Sequence, residues 1–237
     1  MTKLMLAVHD ENVAPILLGP DLRRVLAAVG ATALQVNVDD EAVAPAMRLH
    51  GSQPLSAVLS VWTDGPSTPI VDAIAEAVGS QPDAYRVTEV VRLDPRPVPD
   101  GERAAVLANI ALLRRPPDMS REDYLDYWML HHTAVAIRTQ NTEAYVQNIV
   151  EEVLTDGSPE VAGIVEEHFP MAAMTDPHVF YGSGGDDAEL TRRITELMAS
   201  VARFGAADGL GRADALRRGF RSRALRGRDR PPPRDRR

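Results

Sequence analysis

The same order of segments occurs twice along this sequence of 237 residues, and this repetition restricts the fold more than any other feature. In the first half, a helix with apolar residues at positions 22, 25, 26 and 29 follows the first strand, and a second helix at 69–78 precedes the last strand. Strands are predicted, from their apolar and β-branched runs, at residues 3–9, 33–39, 55–63 and 86–93. The order is therefore β-α-β-β-α-β.

The second half starts again after a proline-rich segment. Residues 96–103 include Pro97 and Pro99, which fit neither a strand ladder nor a helix interior, so they indicate a linker. Ser120 and Asp123 form a capping box that opens a long helix, and Asp186 or Asp187 opens another. Strands are predicted at residues 104–113, 143–150 and 163–169. A closing strand is doubtful, because only the arginine-rich residues 220–225 are available for it.

These orders predict an α+β fold of two ferredoxin-like repeats. The helices cover one face of each sheet and leave the other face apolar, so two such units are expected to pack sheet to sheet as an intramolecular dimeric α+β barrel. The predicted units are residues 1–95, a degenerate repeat, and residues 104–211, with the linker at 96–103 and a tail at 212–237. The space between the sheets is the expected pocket.

Charge is distributed unevenly along the chain. Residues 212–237 contain 11 arginines and three aspartates, whereas residues 1–211 carry 15 basic and 31 acidic residues, a net charge of −16. An acidic body repels a phosphate backbone, so no nucleic-acid partner is expected, and the tail has too few apolar residues to predict order. The sequence has no cysteine, which excludes thiolate sites, and no apolar run of about 18 residues that would span a membrane. We expect a cytoplasmic protein.

One segment of the second half resembles a known family. Residues 112–132 run from a strand through basic residues, prolines and Ser120 into a helix that bears Tyr127, Trp128 and, four residues on, His132. Tyr145 and Asn148 follow on the next strand. This arrangement resembles the EthD family over roughly residues 104–204. The helix of the first half lacks the tyrosine, tryptophan and histidine of this pattern, so the first half is interpreted as a degenerate copy in a tandem form of the family.

The resemblance implies a cofactor-independent enzyme that acts on a small hydrophobic, oxygenated compound by dehydration, cyclisation or decarboxylation, in the manner of a lyase, dehydratase or cyclase. Histidine is suited to this acid–base chemistry because it titrates near neutral pH. The catalytic candidates are His132, His168, Tyr145 and Glu166. The substrate-binding candidates are Asn109, Trp128, Asn148, His178 and Tyr181.

Strand alternation supports part of this assignment. Glu166 and His168 share one face of their strand, and Glu167 lies on the other face. If the face of Glu166 and His168 is buried, the pair is suited to proton transfer or metal binding; if it is exposed, the two residues belong to a solvated edge. On the preceding helix, the periodicity places His131 inward and His132 at the edge of the buried stripe. Asn109 either lines the pocket or is a structural amide, and His178 and Tyr181 are expected in a loop.

Two alternatives remain open at this stage. His132 or His168 could ligate haem or another metal in an oxidoreductase of the same barrel type, although no metal site is predicted. The protein could instead bind a small molecule without turnover. We expect no cofactor, a small hydrophobic ligand as the only partner, no membrane partner, and either a monomer with an internal pseudo-dimer or a weak homodimer.

Overall fold

The fold is built on eight strands, seen in a computed structural model that describes residues 1–46 and 55–205 and the backbone of residues 215–217. The strands of the first half are β1 (Thr2–Val8), β2 (Ala31–Val38), β3 (Ala57–Thr63) and β4 (Asp83–Leu93). Those of the second half are β5 (Val106–Leu113), β6 (Ala144–Val153), β7 (Gly163–Pro170) and β8 (Ala215–Arg217). The first seven lie within a few residues of their predicted positions.

In the described part of the chain, four helical segments occur in the predicted places, and two short helices, one after β1 and one after β7, were not predicted. The helices are α1 (Ala14–Leu17), α2 (Pro20–Ala28), α3 (Thr68–Val78), α4 (Arg121–Asp126), α5 (Thr133–Thr139), α6 (Pro177–Tyr181) and α7 (Asp187–Arg203), with a π-helix (Tyr127–His132) between α4 and α5. Ser120 caps α4, because its Oγ accepts a hydrogen bond of 3.0 Å from the backbone N–H of Asp123. Among the described residues, no helix is both long and apolar enough to cross a membrane.

All eight strands form one antiparallel sheet in the order β2-β3-β1-β4-β6-β7-β5-β8. Each half has the strand order expected of a β-α-β-β-α-β unit, with its third strand between its first and its second. The halves join where β4 pairs with β6, from Tyr85 opposite Val153 to Leu93 opposite Tyr145. The predicted halves therefore share one continuous sheet.

The sheet curls strongly. Gln35 on β2 donates a hydrogen bond of 2.7 Å to Glu166 on β7, five strands further along the sheet. In a flat sheet, five steps of about 4.8 Å would separate these strands by about 24 Å. The contact therefore brings the inner faces of the two halves against each other, as in a half-barrel.

Apolar side chains form three layers around this curl. The helices of the first half pack on its outer face, where Leu6 and Leu59 are fully buried. The helices of the second half cover its outer face around Trp128 and Tyr145. Between the halves, the inner faces contribute a third cluster: Met5, Ala7, Leu55, Val58, Tyr85, Val87, Ile110, Leu112, Val150, Val161 and Ile164.

The closing strand differs from its predicted position. β8 comprises Ala215–Arg217 and pairs with β5 through Asn109, Ile110 and Ala111. The segment 220–225, which was considered for this strand, lies outside the described residues, as does most of the tail at 212–237.

Candidate functional site

Strand β7 carries three consecutive buried polar residues. Glu166, Glu167 and His168 are exposed by only 1%, 5% and 3%, so the solvated edge considered above is excluded. Glu166 and His168 face the inside of the curl, and Glu167 faces the helices, as alternation predicts. A buried carboxylate is costly unless it is hydrogen-bonded, so each face of β7 requires polar partners.

The inner cluster consists of Gln35, Glu166 and His168. His168 Nε2 lies 2.6 Å from Glu166 Oε1, and Gln35 Nε2 donates to both carboxylate oxygens of Glu166, at 2.7 and 2.9 Å. Since an ionised carboxylate accepts hydrogen bonds, Nε2 of His168 is the donor in this contact, which leaves Nδ1 as the ring nitrogen not engaged by Glu166. This is the arrangement in which a carboxylate fixes the tautomer of a histidine that acts as a base.

A second polar group lies next to the inner cluster, at the end of the curl where a cleft opens between the two halves. This end is called the mouth. Lys3 Nζ donates to Asn148 Oδ1 at 2.7 Å and to Glu89 Oε1 at 2.6 Å, and lies 4.9 Å from the ring centre of Trp62. A cleft of about 440 Å³ opens beside Lys3, Trp62 and Glu89. Deeper inside, Gln35 of one inner face contacts Glu166 of the other, so the two inner faces meet at this level.

The outer cluster lies on the helix-covered face of the second half. Asn109, Glu167 and Tyr145 are neighbours across β5, β7 and β6, and Asn109 Nδ2 donates to Glu167 Oε2 at 2.8 Å. Burial, reinforced by the charge of Glu167, raises the pKa of Tyr145 well above its usual value. Tyr145 therefore stays protonated. Trp128 packs directly on Gly163, where a Cβ would lie 2.4 Å from the indole ring.

His132 belongs to the outer side and is buried. Its Nδ1 lies 3.0 Å from Ser200 Oγ, and its ring centre lies 4.6 Å from that of Phe204. Burial lowers the pKa of His132 from 6.5 to about 4, so the imidazole is neutral at physiological pH. A ring with so low a pKa is a weak base.

The positions of the two adjacent histidines are the reverse of the prediction. The side chain of His131 is 62% exposed, with Asp126 at 3.9 Å and the ring of Tyr127 stacked on it at 5.5 Å between ring centres, whereas His132 points inward. The cause is the π-helix, in which the backbone N–H of Thr133 bonds to the carbonyl of Trp128, five residues earlier. A turn that is wider than the α-helical 3.6 residues moves the buried stripe on by one residue, and such turns are frequent at functional sites.

The sheet separates the predicted site residues into two groups. Asn148, Glu166 and His168 lie inside the curl, while Asn109, Trp128, His132 and Tyr145 lie under the helices of the second half. His132 was expected to move a proton, with Tyr145, Asn148, His168 or Tyr181 polarising the substrate. Of these partners Tyr145 lies on the same side of the sheet as His132, whereas Asn148 and His168 lie on the opposite face. Asn148 is committed to Lys3 and to the carbonyl of Ile164.

Tyr181 packs against the apolar cluster that contains Trp128 and Tyr145, and His178 lies on the same short helix. They belong to the short helix α6 and not to a loop, because Asp176 caps that helix through the backbone N–H groups of residues 178 and 179. His178 Nδ1 lies 2.7 Å from Ser183 Oγ, and Tyr181 packs on Phe180 at 5.0 Å between ring centres. A substrate-binding role for this pair stays a prediction.

The alternative with haem or a metal can be compared with these contacts. Within the described ranges, no group of three or more His, Asp or Glu side chains is arranged to hold a metal ion. His168 Nε2 is bound to Glu166, and the ring of His132 is held between Ser200 and Phe204. The contact with Glu166 leaves Nδ1 of His168 as the ring nitrogen that could ligate a metal, and a haem or metal role for either histidine stays a prediction.

The sequence matches no known protein family and no curated protein. Solved structures of similar outline include an anthrone oxidase-like protein (TM-score 0.44, 11% identity, 93% of this chain and 90% of that chain). Two proposed monooxygenases are also similar. The one from Fusobacterium nucleatum has a TM-score of 0.44 and 8% identity, and the match covers 93% of this chain and 91% of that chain. The one from Lactobacillus acidophilus has a TM-score of 0.40 and 9% identity, and the match covers 94% of this chain and 92% of that chain. At these scores the similarity carries no argument about reaction or family, so the EthD resemblance stays a prediction.

Proposed function

We propose that the protein is a cofactor-independent acid–base enzyme that moves a proton on a small, hydrophobic carbonyl compound inside the curled sheet. The observation that carries the proposal is the 2.6 Å contact between His168 Nε2 and Glu166 Oε1, which are both buried beside the apolar cluster of the inner faces. A histidine and a carboxylate in hydrogen-bond contact are the minimal parts of a positioned general base. Low local polarity strengthens the interaction of this pair with a charge that forms beside it.

The chemical step follows from the tautomer. His168 Nδ1 accepts a proton from a carbon next to the carbonyl of the substrate. The electron pair of that C–H bond forms a C=C bond, and the π electrons of the carbonyl move to its oxygen, which gives an enolate. Glu166 stabilises the imidazolium that results. Return of the proton, loss of a β-hydroxyl group or attack of the enolate on a second carbonyl then gives isomerisation, dehydration or cyclisation.

Hydrogen–deuterium exchange tests this proposal without knowledge of the natural substrate. Cyclic ketones and 1,3-diketones, among them 1-tetralone, would be incubated with the protein in D₂O, and the loss of the acidic C–H signal followed by NMR. We expect exchange to be slowed by roughly 10²-fold or more in His168→Asn and Glu166→Gln, since positioned proton transfer contributes about 10²–10⁴ in rate. Wild-type exchange in His168→Asn would refute the proposal.

Matched variants on the other face separate the two clusters. His132→Asn and Tyr145→Phe remove equally buried groups from the outer cluster and should retain exchange within about tenfold of wild type if the inner cluster acts. Loss of exchange in these two variants, with His168→Asn unaffected, would assign the reaction to the EthD-like side. Binding of the ketones with no exchange in any variant would support a non-catalytic binding protein.

An oxidoreductase is the alternative reaction class. An enolate formed at the inner cluster is electron-rich, and such a carbanion can be oxidised by dioxygen, so the same proton abstraction would serve as its first step. Running the assay in air with an oxygen electrode distinguishes the two. Consumption of oxygen in proportion to loss of the ketone would assign an oxygenase, and exchange at equal rates with and without oxygen would assign the acid–base enzyme.

We further propose that the two halves are copies of one unit, so that the chain carries its own pseudo-dimer. Both halves have the same element order and strand order, and they meet through β4 and β6 and through Gln35 and Glu166. An internal partner removes the usual reason for such a sheet to dimerise. Light scattering after size exclusion should therefore give the mass of a monomer, 25.8 kDa; a stable dimer would contradict this reading.

A further inference from the structure

The inner face of the first half carries a polar patch next to the inner cluster. Gln35 on β2 lies directly opposite Ser60 on β3, and Asn37 is the next residue of β2 on the same face. All three side chains are buried, with at most 1% exposed. Their neighbours on this face, Met5 and Val58, are apolar, so the patch is confined.

Two atoms of this patch have no hydrogen-bond partner within residues 1–46 and 55–205. They are Asn37 Nδ2 and Ser60 Oγ. Buried polar atoms are nearly always hydrogen-bonded in folded proteins, and one left without a partner destabilises the fold. Both can donate: the amide nitrogen is a donor only, and the hydroxyl hydrogen rotates to suit its acceptor. Their common requirement is an acceptor atom, such as an oxygen.

The positions of the two donors fit a single ligand oxygen. Ser60 and Asn37 are diagonal neighbours on adjacent antiparallel strands, whose Cβ atoms lie about 7 Å apart, which leaves room for one oxygen between the side-chain ends. Ser60 is two residues from Trp62 on β3, and so about 7 Å below the cleft at the mouth. Ser60 is therefore the member of the pair nearer to the cleft, and Asn37 lies one step deeper.

We propose that Asn37 and Ser60 form an oxygen-binding subsite for the carbonyl of the substrate, so that the first half supplies substrate recognition and the second half supplies the base. This inference rests on the proposed function and deepens it. Gln35 connects the two, because it lies opposite Ser60 and donates to Glu166. Donors aimed at the oxygen that gains charge when the enolate forms would favour proton removal by His168.

The substrate class follows from this geometry. The acceptor must be a carbonyl or phenolate oxygen on an otherwise apolar body, because the surrounding side chains are apolar. The acidic carbon must be adjacent to that carbonyl, because His168, which accepts its proton, contacts Glu166, and Glu166 contacts Gln35, the neighbour of Ser60. A cyclic or aryl ketone that bears a hydrogen on the adjacent carbon meets both conditions.

Calorimetric titration with 1-tetralone and tetralin tests the subsite, because the two probes differ essentially by one carbonyl oxygen. Wild type should bind 1-tetralone about tenfold or more tighter than tetralin. Ser60→Ala and Asn37→Leu should each weaken 1-tetralone binding roughly five- to tenfold, the value of one hydrogen bond, and leave tetralin binding unchanged. Ser80→Ala is the matched control, because Ser80 bonds to Asp10 outside the inner face.

The melting temperature of the unliganded variants supplies a second readout. Since Ser60 Oγ has no partner among the described residues, Ser60→Ala should melt no lower than wild type. A clear fall in melting temperature, with 1-tetralone and tetralin bound alike, would show that the hydroxyl is already satisfied, for example by a buried water, and would overturn the subsite. Equal affinity of wild type for the two probes would also overturn it.

Failure of this inference can be distinguished from failure of the proposed function. If Ser60→Ala binds 1-tetralone as wild type does, while His168→Asn still loses deuterium exchange, the subsite is refuted and the acid–base function stands. If binding depends on Ser60 but His168→Asn exchanges at the wild-type rate, the acid–base function is refuted and the patch stands as a binding site for carbonyl oxygen.

Discussion

Replacement of His132 by glutamine should change how the stability of the protein depends on pH. The folded protein holds the pKa of His132 at about 4 through burial, whereas the unfolded chain has the ordinary value of 6.5. The unfolded state therefore binds the proton first as the pH falls. Stability is fully present above pH 6.5 and is lost between pH 6.5 and 4.

The size of the effect follows from the two pKa values. At pH 5 the unfolded chain is almost fully protonated at this position and the folded chain hardly at all, which costs wild type about 2 kcal/mol of the free energy of unfolding. Below pH 4 the full difference, about 3 kcal/mol, applies. His132→Gln loses this dependence. The stability gap between wild type and variant should therefore shift by about 2 kcal/mol in favour of the variant between pH 7.5 and pH 5.

Urea unfolding followed by circular dichroism at the two pH values measures this shift. The comparison cancels the other titrating groups, because both proteins share them. His131→Gln is the matched control, since it removes the exposed neighbour from the same π-helix and should leave the pH dependence of wild type in place. A constant gap between wild type and His132→Gln would show that the imidazole of His132 is solvated, and the reasoning from burial would fail.

Three further changes test the packing and the polar contacts. Gly163→Ala places a Cβ against the indole of Trp128, which is fully buried. This variant should have a free energy of unfolding lower by about 1–3 kcal/mol in urea titrations. An unchanged stability would mean that the indole can move. Ser120→Ala removes the cap of α4 and should cost about 1 kcal/mol, with a smaller loss in Ser120→Asn, which can still cap. Gln35→Leu removes two hydrogen bonds to the buried carboxylate of Glu166 and should cost about 1–3 kcal/mol at pH 7, whereas a neutral result would indicate that another donor replaces it.

Much of the fold could be predicted because the local signals agree with the tertiary structure. The first-turn proline and terminal glycine of α3 lie where the sequence places them, and Gly79 adopts the left-handed conformation that ends a helix. The faces of Glu166 and His168 follow from alternation alone. The inward position of His132 could not be predicted, because the sequence carries no mark of a π-helix and an α-helical wheel assigns that position to His131.

The polar residues of the first half were missed for a different reason. Gln35, Asn37 and Ser60 are each single polar residues among apolar neighbours, which is also typical of a half-exposed strand. What buries them is the curl, and the curl depends on contacts between residues as far apart as Gln35 and Glu166. Lys3 was missed likewise, since a lysine at the start of a strand is usually solvated, whereas here Glu89 and Asn148 hold it.

The topology supplies a signal that the strand patterns alone do not. In a β-α-β-β-α-β unit the third strand lies between the first and the second, so it has no solvated edge, and polar residues in the middle of that strand are buried. β3 and β7 are the third strands of their halves. Ser60 lies opposite Met5 on the first strand of one half, and Glu166 lies opposite Ile110 on the first strand of the other. These two polar side chains thus occupy corresponding places on the two inner faces, and the curl turns them toward a common interior. Duplication followed by divergence at this pair of positions would give one half a carboxylate to support a base and the other a hydroxyl to bind an oxygen, which is the division of roles that the titration and exchange experiments examine.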